Sequence, residues 1–450
     1  MKRIKKPLKM IRHIISSIIS SIITTILFLF KNINSIFKFF NRGIRSLGGK
    51  FTRFYNRSKH ILKEGLAALV ICAIGDLIAG IILGNMTNFL TAFPGLLVII
   101  PGAIGMRGSI FGSFASRLSS NLHIGTISPE FKKSDILTQN ILSSIILTLI
   151  LSLFLPILAK ILCIIFNFES MNLIDFSLIS IFAGLISTFI MLPITMFISL
   201  KSFENGWDPD NVTTPLVAAI GDLFTLPSII LAIFLVVFID NEFVKTLIFI
   251  ILILIIIIGF ILGIKSKSES KTIISQSTPV LLFSSFLGVF AGGILNNSID
   301  TLLKNPTLLT LVPLFSGESG SLISILSARL SSALHSGIVE PLLRPSKNAI
   351  NNFVAILFMG IFIFPFIGII AELSSVIIGV EGLSLIKIVP ITFISGFIVL
   401  MIMITIVYYI STLSFRKGLD PDNIVLPIST SVTDLIANFS LISVALMILF

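Results

Sequence analysis

Long apolar segments separated by short polar loops fill the chain from about residue 64 to its end. Each segment is about 20 residues or longer, the length that an α-helix needs to cross a hydrocarbon layer about 30 Å thick. The chain is 55% hydrophobic and only 12% charged, a composition that soluble domains do not have. The pattern predicts an all-α polytopic membrane protein with about eleven spans, at 65–86, 91–120, 135–166, 173–200, 212–238, 244–264, 276–298, 306–332, 350–378, 386–412 and 424–449.

Polar positions inside these segments repeat at an offset of 212 residues. Seven of the ten residues in Ser116–Gly125 are identical to those in Ala328–Gly337. A second block keeps the same register, because an Asp-Pro-Asp-Asn motif begins at Asp208 and again at Asp420. One register that serves two separate blocks indicates a duplicated unit of five spans.

The extra span at 244–264 has no counterpart after the second unit, and it would turn the chain so that the two five-helix repeats run parallel. Lys and Arg concentrate in the loops on the side of the amino terminus, so the positive-inside rule places that terminus in the cytoplasm of a multi-pass cell-membrane protein. Two repeats in one chain suggest a pseudo-dimeric monomer. The predicted domains are a basic arm (1–63), a first five-helix repeat (64–240), a linker transmembrane helix and loop (241–275) and a second five-helix repeat (276–450).

The positive charge of the chain is concentrated in the arm. Fifteen of the 32 Lys and Arg lie in residues 1–63, which contain no Asp or Glu, whereas the rest of the chain is mildly acidic. This distribution indicates an arm on the surface of the lipid bilayer, and no nucleic-acid partner is expected. The Ile-Ile-Ser-Ser rhythm favours an amphipathic helix lying on the membrane, with a true span over 14–30 as the alternative.

Two carboxylates, Asp222 and Asp434, are expected near the middle of the membrane, each twelve residues beyond the second Asp of its motif. At 1.5 Å per residue the distance is about 18 Å along the helix. An ionised carboxylate at this depth costs several kcal/mol unless it is paired or binds an ion, and two carboxylates without a cation repel each other. We expect a divalent cation between the two; protonated Asp side chains hydrogen-bonded between helices are the alternative.

Other polar residues belong to the same helices or to the first span. Asn211 and Asn423 share a helical face with the deep Asp of their repeat and are candidate metal ligands, with simple helix packing as the alternative. Asp76 lies in the first span without a symmetric twin and is either a further candidate for the ion pathway or a local polar contact. Asp208 and Asp420 either act only as helix caps or belong, with Asp210 and Asp422, to a cytoplasmic mouth that concentrates cations.

The second span of each repeat is rich in Gly and Ser and contains prolines. It is either a broken helix that lines a pore or a tightly packed helix, because glycines at helical spacing let another backbone approach closely. Arg107 and Glu318 lie deep in these spans, one position out of register across the repeat, and we predict a buried ion pair between them. The glycines assigned to the pathway or to packing are Gly105, Gly108, Gly317 and Gly320.

An intramembrane aspartyl hydrolase that uses Asp76 and Asp222 is the alternative function. Both residues follow Ala-Ile-Gly, however, whereas such enzymes carry Gly-x-Gly-Asp. A catalytic pair is also needed only once, whereas a pore would use both copies of the duplication alike.

The two duplicated blocks resemble a known family. The pattern Pro-x-x-x-Gly-x-x-Gly followed by Ser/Ala-Arg-Leu-Ser-Ser, together with Asp-Pro-Asp-Asn leading to a mid-helix Asp, is similar to the membrane domain of MgtE-type magnesium channels and duplicated solute-carrier magnesium transporters. The resemblance covers about residues 63–450. It implies a non-enzymatic transporter of divalent cations made of MgtE-like five-helix units, in which Asp222 and Asp434 contribute to a central Mg²⁺ site. Mg²⁺ is then the transported ion, and the same oxygen ligands could also pass Mn²⁺ or Co²⁺.

Overall fold

The computed structural model of the protein describes residues 49–125, 127, 134–204, 214–265, 269–378, 382–417 and 421–449, and all regular structure in these ranges is α-helical. This confirms the predicted fold class. The predicted amphipathic helix of the basic arm lies outside the described residues. The helices of the described part are α1 (Gly49–Gly84), α2 (Thr87–Ala92), α3 (Leu96–Ile124), α4 (Asp135–Ile165), α5 (Leu173–Glu204), α6 (Thr214–Phe238), α7 (Glu242–Lys265), α8 (Glu269–Asn297), α9 (Ile299–Lys304), α10 (Pro306–His335), α11 (Lys347–Ile378), α12 (Leu385–Arg416) and α13 (Pro421–Leu449).

The helices agree with the predicted spans. Ten helices of the described chain are long and apolar enough to cross a membrane, and the apolar stretch Leu69–Gly84 of α1 accounts for the first span. Helix α13 begins at Pro421, in agreement with the preference of proline for the first helical position. Hydropathy and one helix-start signal therefore located these elements correctly.

The second span of each repeat is a continuous helix, so the broken-helix interpretation is wrong. Pro101 lies inside α3 and Pro313 lies inside α10 without interrupting either helix. A proline removes only one backbone hydrogen bond, and a membrane helix tolerates the loss when neighbouring helices pack against it. The short helices α2 and α9 precede these spans as separate elements.

The chain folds into two compact units, each built from parts of both sequence repeats. In unit 1, α1 of the first repeat packs with α10 and α11 of the second, and α12 packs on both of the latter helices. In unit 2, α8 of the second repeat packs with α3 and α4 of the first, and α5, α6 and α7 complete the group. Helix α13 contributes Asn423–Phe439 to unit 2 and its last residues to unit 1. The domain boundaries expected from the sequence describe the duplication and stay a prediction, whereas packing groups the helices differently.

Each unit contains the same close approach between two helices. In unit 1 a Cβ on Gly80 would collide with the carbonyl oxygen of Thr310, and in unit 2 a Cβ on Gly292 would collide with that of Val98. Both members of one pair are 212 residues from the corresponding members of the other. In each unit, the first helix of one repeat therefore packs against the second helix of the other repeat, and equivalent glycines make this contact. We call this arrangement the exchange of first helices.

Helix α7, the predicted linker, is attached to unit 2 by an ion pair at its start. The ammonium group of Lys245 lies 3.0 Å from Asp175 of α5 and 2.9 Å from Glu242 of its own helix. Most of the apolar side chains of α7 are exposed, as expected for a helix that faces lipid along much of its length.

Candidate cation site

Helix α3 presents two glycines on one face inside unit 2. Gly105 and Gly108 are three residues apart, so they lie about one turn apart on the same side of the helix. Because glycine has no Cβ, side chains of neighbouring helices can lie against the backbone of α3 at these positions. We call this surface the α3 glycine face.

The carboxylates of Asp222 and Asp434 both lie against the α3 glycine face. A Cβ placed on Gly108 would be 3.9 Å from Oδ1 of Asp222, and a Cβ placed on Gly105 would be 3.5 Å from Oδ2 of Asp434. Three residues correspond to a rise of about 4.5 Å along the helix. The structure therefore places the two predicted carboxylates, one from α6 and one from α13, against neighbouring positions of the same helix, α3.

The hydroxyl groups beside these carboxylates are used within their own helices. Thr225 of α6 donates to the carbonyl oxygen of Gly221 at 2.7 Å. Thr433 of α13 donates to that of Ser429 at 2.6 Å. Since a hydroxyl has a single proton to donate, these two protons are not available to the carboxylates.

Arg107 provides a fixed positive charge next to Gly108. Its side chain is buried, with 1% exposed, and Nε donates to Oγ of Ser187 on α5 at 2.5 Å. Nη1 donates to the carbonyl oxygen of Ala103 at 3.0 Å. The guanidinium is therefore held by neutral oxygen atoms of α5 and of its own helix.

The equivalent helix of unit 1, α10, has different neighbours. The carboxylate of Asp76 lies directly against Gly317, at a place where a Cβ would overlap it. Glu318 is fully buried, and its carboxylate oxygens have no hydrogen-bond partner in the described part of the chain. Asp76 is thus placed in a different unit from Asp222 and Asp434.

The predicted ion pair between Arg107 and Glu318 finds no support in the contacts of either residue. The hydrogen bonds given above for Arg107 go to neutral oxygen atoms of its own unit, and those acceptors hold its guanidinium against α5 and α3. The ion pair between Arg107 and Glu318 therefore stays a prediction.

The predicted cytoplasmic mouth and the amide ligands stay predictions. Asp208, Asp210, Asn211 and Asp420 lie outside the described residues. The backbone of Asp422 and Asn423 belongs to α13, but their side chains are not described. Within the described residues, no group of three or more His, Cys, Asp or Glu side chains could hold a metal ion.

Sequence reasoning missed a pair of equivalent contacts, one in each unit. Arg117 donates through Nε to Oδ1 of Asn140 at 2.9 Å in unit 2, and Arg329 donates to Oδ1 of Asn352 at 2.9 Å in unit 1. These bonds connect the second helix of each repeat to its third. The repeat could have indicated these contacts, because both Arg and both Asn are related by the 212-residue offset.

Comparison with known proteins agrees with this architecture. A family model described as a divalent cation transporter, MgtE, matches residues 100–232 and again 312–444. The second match begins 212 residues after the first, the difference between 312 and 100, which confirms the repeat.

The similar curated proteins are solute carriers. Solute carrier family 41 member 2 of Homo sapiens is 24% identical over 284 residues, which cover 60% of this chain and 48% of the relative. Member 3 of Rattus norvegicus is 23% identical over 327 residues, covering 66% of each chain. The chain thus spans about half the length of the first relatives that it matches. No solved structure matches it.

Ionisable residues between the helices of a polytopic protein commonly mark a substrate or ion pathway, which is characteristic of membrane transport proteins. More specifically, the chain belongs to the MgtE family of divalent cation transporters. The members of this family are transporters and not enzymes, so the alternative of an intramembrane aspartyl hydrolase is rejected.

Proposed function

We propose that the protein carries Mg²⁺ across the membrane and that Asp222 and Asp434 bind the ion during its passage. The observation that supports this proposal is the position of both carboxylates on the α3 glycine face. Helices α3 and α6 come from the first sequence repeat and α13 from the second, so the pathway would lie at the interface of the two repeats.

The donor set suits a hard divalent ion that keeps part of its water. Mg²⁺ is usually held by one or two carboxylates while several waters stay bound. Asp222 and Asp434 supply two carboxylates, both half-buried rather than sealed from solvent. Oxygen-rich sites discriminate mainly by geometry and metal availability, so Mn²⁺ or Co²⁺ would pass through the same site.

Charge balance favours a divalent ion at this position. Two ionised carboxylates repel each other when no cation lies between them, and a single divalent ion neutralises both negative charges.

The remaining predicted residues have supporting roles in this proposal. Asn211 and Asn423, on the helical face of the deep Asp, would contact the ion or its water. The protein would work as a pseudo-dimeric monomer, with both repeats in one chain. Four carboxylates at the helix starts would concentrate cations at the cytoplasmic mouth: Asp208, Asp210, Asp420 and Asp422.

Mg²⁺ uptake into proteoliposomes that contain a fluorescent Mg²⁺ indicator tests the proposal. We expect Asp222→Asn and Asp434→Asn each to slow uptake by about tenfold or more, which corresponds to an increase of about 1.4 kcal/mol or more in the activation free energy of transport. The double variant should show no uptake above that of empty liposomes. Asp135→Asn is the matched control, because Asp135 is an exposed residue of the same unit, and it should transport like the parent.

A second measurement separates loss of the site from loss of the fold. Mg²⁺ should raise the unfolding temperature of the parent, because a ligand that binds only the native state stabilises it. The double variant should unfold at a similar temperature without Mg²⁺ and gain nothing when Mg²⁺ is added. Full Mg²⁺ transport by the folded double variant would refute the assignment of these two carboxylates.

A further inference from the structure

The loop that joins α10 to α11 in unit 1 has a conformation fixed by hydrogen bonds. We call residues 336–346 the α10–α11 loop. The backbone N–H of Val339 donates to the carbonyl oxygen of Ala333 at 2.9 Å, and Nδ2 of Asn348 donates to that of Ile338 at 3.0 Å. The side chain of Val339 is fully buried. The first half of the loop is therefore anchored to both of the helices that it connects.

Helix α12 holds the second half of the same loop. The hydroxyl of Tyr408 donates to the carbonyl oxygen of Leu342 at 2.6 Å, and Nε of Arg416 donates to that of Pro341. Both donors belong to the last third of α12. The loop therefore lies at the end of unit 1 where α10 and α12 end and α11 begins, directly beyond three helices that are long and apolar enough to span a membrane.

Three large apolar side chains of this anchored loop are exposed. The exposed fraction is 60% for Ile338, 47% for Leu342 and 49% for Leu343. They lie between two spans, because the span of α10 ends at Leu334 and that of α11 begins at Lys347. Exposed apolar side chains that are rimmed by polar residues mark surfaces that contact another protein or a membrane. A loop between two spans lies at the surface of the bilayer, so lipid is the nearest apolar partner.

Exposed basic side chains accompany these apolar ones. Arg344 belongs to the loop, Lys347 begins α11, and Arg416 and Lys417 stand at the end of α12, where Arg416 contacts the loop. Neither Arg344 nor Lys347 forms an ion pair with a described residue. Glu340 is the one acidic residue in the sequence of the loop. The surface therefore carries an excess of positive charge next to exposed apolar groups.

We propose that the α10–α11 loop binds anionic phospholipid at the surface of the membrane. Leu342 and Leu343 enter the boundary between headgroups and acyl chains, while Arg344 and Lys347 contact the phosphate and carboxylate groups of the headgroups. The strength of such binding grows with the buried apolar area and with the attraction to anionic lipid. On the predicted topology the loop faces the cytoplasmic leaflet, which contains the anionic lipids. This site is separate from Asp222 and Asp434, and the proposal does not depend on the identity of the transported ion.

Fluorescence quenching in lipid nanodiscs tests the proposal on the full chain. The two cysteines, Cys72 and Cys163, are replaced by Ala, and Leu343→Cys carries a fluorophore. The discs consist of phosphatidylcholine with the same small mole fraction of brominated phosphatidylserine or of brominated phosphatidylcholine, without divalent cations. Brominated phosphatidylserine should quench the fluorophore more strongly, so that its association constant relative to phosphatidylcholine is above one.

Substitution of the basic residues should remove this preference. Arg344→Gln should lower the relative association constant by up to about fivefold, the effect of one basic residue near an anionic surface. Adding Lys347→Gln should bring the constant close to one. The matched control combines Lys304→Gln with Lys387→Gln, which removes two exposed Lys of unit 1 at the end of α9 and the start of α12, the opposite end of the spans. The control should retain the preference of the parent.

A salt titration of the unsubstituted loop provides an independent measurement. Raising sodium chloride from about 0.1 M to 1 M shortens the Debye length from about 10 Å to 3 Å, so the preference for phosphatidylserine should disappear while quenching by brominated phosphatidylcholine persists. Inorganic phosphate is compared with sodium chloride at equal ionic strength and should act no differently.

Three results would overturn the proposal. Equal quenching by the two brominated lipids at low salt would refute a preference for anionic lipid. Quenching by neither lipid would place the loop outside the bilayer surface. A preference that phosphate abolishes and chloride does not would assign the loop to free phosphate instead of lipid. Each of these results leaves the assignment of Asp222 and Asp434 untouched, because no ion is transported in this experiment.

Discussion

The exchange of first helices between the repeats predicts that two distant glycines are equally intolerant of a methyl group. Gly80→Ala would drive a Cβ into the carbonyl oxygen of Thr310, and Gly292→Ala would drive one into that of Val98. In both cases the obstacle is backbone, which cannot rotate away as a side chain can. The helices must therefore move apart, and the packing around them is lost.

The expected magnitude combines two opposing effects. Inserting a methyl group into a packed interior costs about 1–3 kcal/mol, and the upper end applies because the obstacle is backbone. Replacing Gly by Ala inside a helix returns about 1 kcal/mol. The net loss is about 2 kcal/mol for each variant. A cooperative unit of about 150–250 residues loses about 2–4 °C in unfolding temperature for each kcal/mol of lost stability. The unfolding temperature of the affected unit should therefore fall by about 4–8 °C.

Thermal unfolding of the detergent-purified variants measures this loss. Gly259→Ala is the control, because a Cβ there would lie 3.7 Å from Cγ1 of Ile146, an ordinary contact. That variant should be as stable as the parent or more stable. If Gly80→Ala and Gly292→Ala both unfold with the control, the close approaches do not exist and the exchange of first helices is wrong.

Three further predictions follow from other contacts and from the loops. Asn140→Ala and Asn352→Ala should each lower the free energy of unfolding by about 1–3 kcal/mol in the same thermal assay, because each leaves an Arg without its acceptor. A loss of stability in only one of the two variants would contradict the equivalence of the two units. Gly105→Ala should fold like the parent but take up Mg²⁺ several-fold more slowly, since its methyl group would contact the deep carboxylate of α13; unchanged uptake would argue against an ion at this face. A single Cys at Asn241 should react with an impermeant reagent from outside and one at Ser268 only after permeabilisation, whereas the reverse pattern would refute the parallel repeats.

The sequence by itself determined the helices and the equivalence of the two repeats. Hydropathy located the spans because each apolar segment must be long enough to cross the hydrocarbon layer and must satisfy its backbone internally. The 212-residue register matched Arg117 with Arg329 and Asp222 with Asp434, and the family model places its two copies at the same offset. These features depend on length, composition and identity, which are all local properties of the chain.

The sequence could not determine which helices pack together. Repeat boundaries suggested two groups of consecutive helices, yet α1 packs with α10 and α8 packs with α3. In a membrane, apolar side chains are as well solvated by lipid as by protein, so hydropathy does not distinguish one partner from another. Close complementarity between small residues decides instead, as where Gly80 meets the backbone of Thr310.

The candidate site illustrates the same division. Asp222 and Asp434 could be singled out from the sequence, because a carboxylate inside an apolar helix is costly wherever it lies, whereas their depth in the membrane stays a prediction. Only the tertiary structure placed both against glycines of one helix, α3, and placed Asp76 against Gly317 in the other unit. The position of a carboxylate along its own helix can be counted from the sequence. Whether carboxylates of different helices come together depends on which helices pack closely, and the sequence of one segment does not determine this.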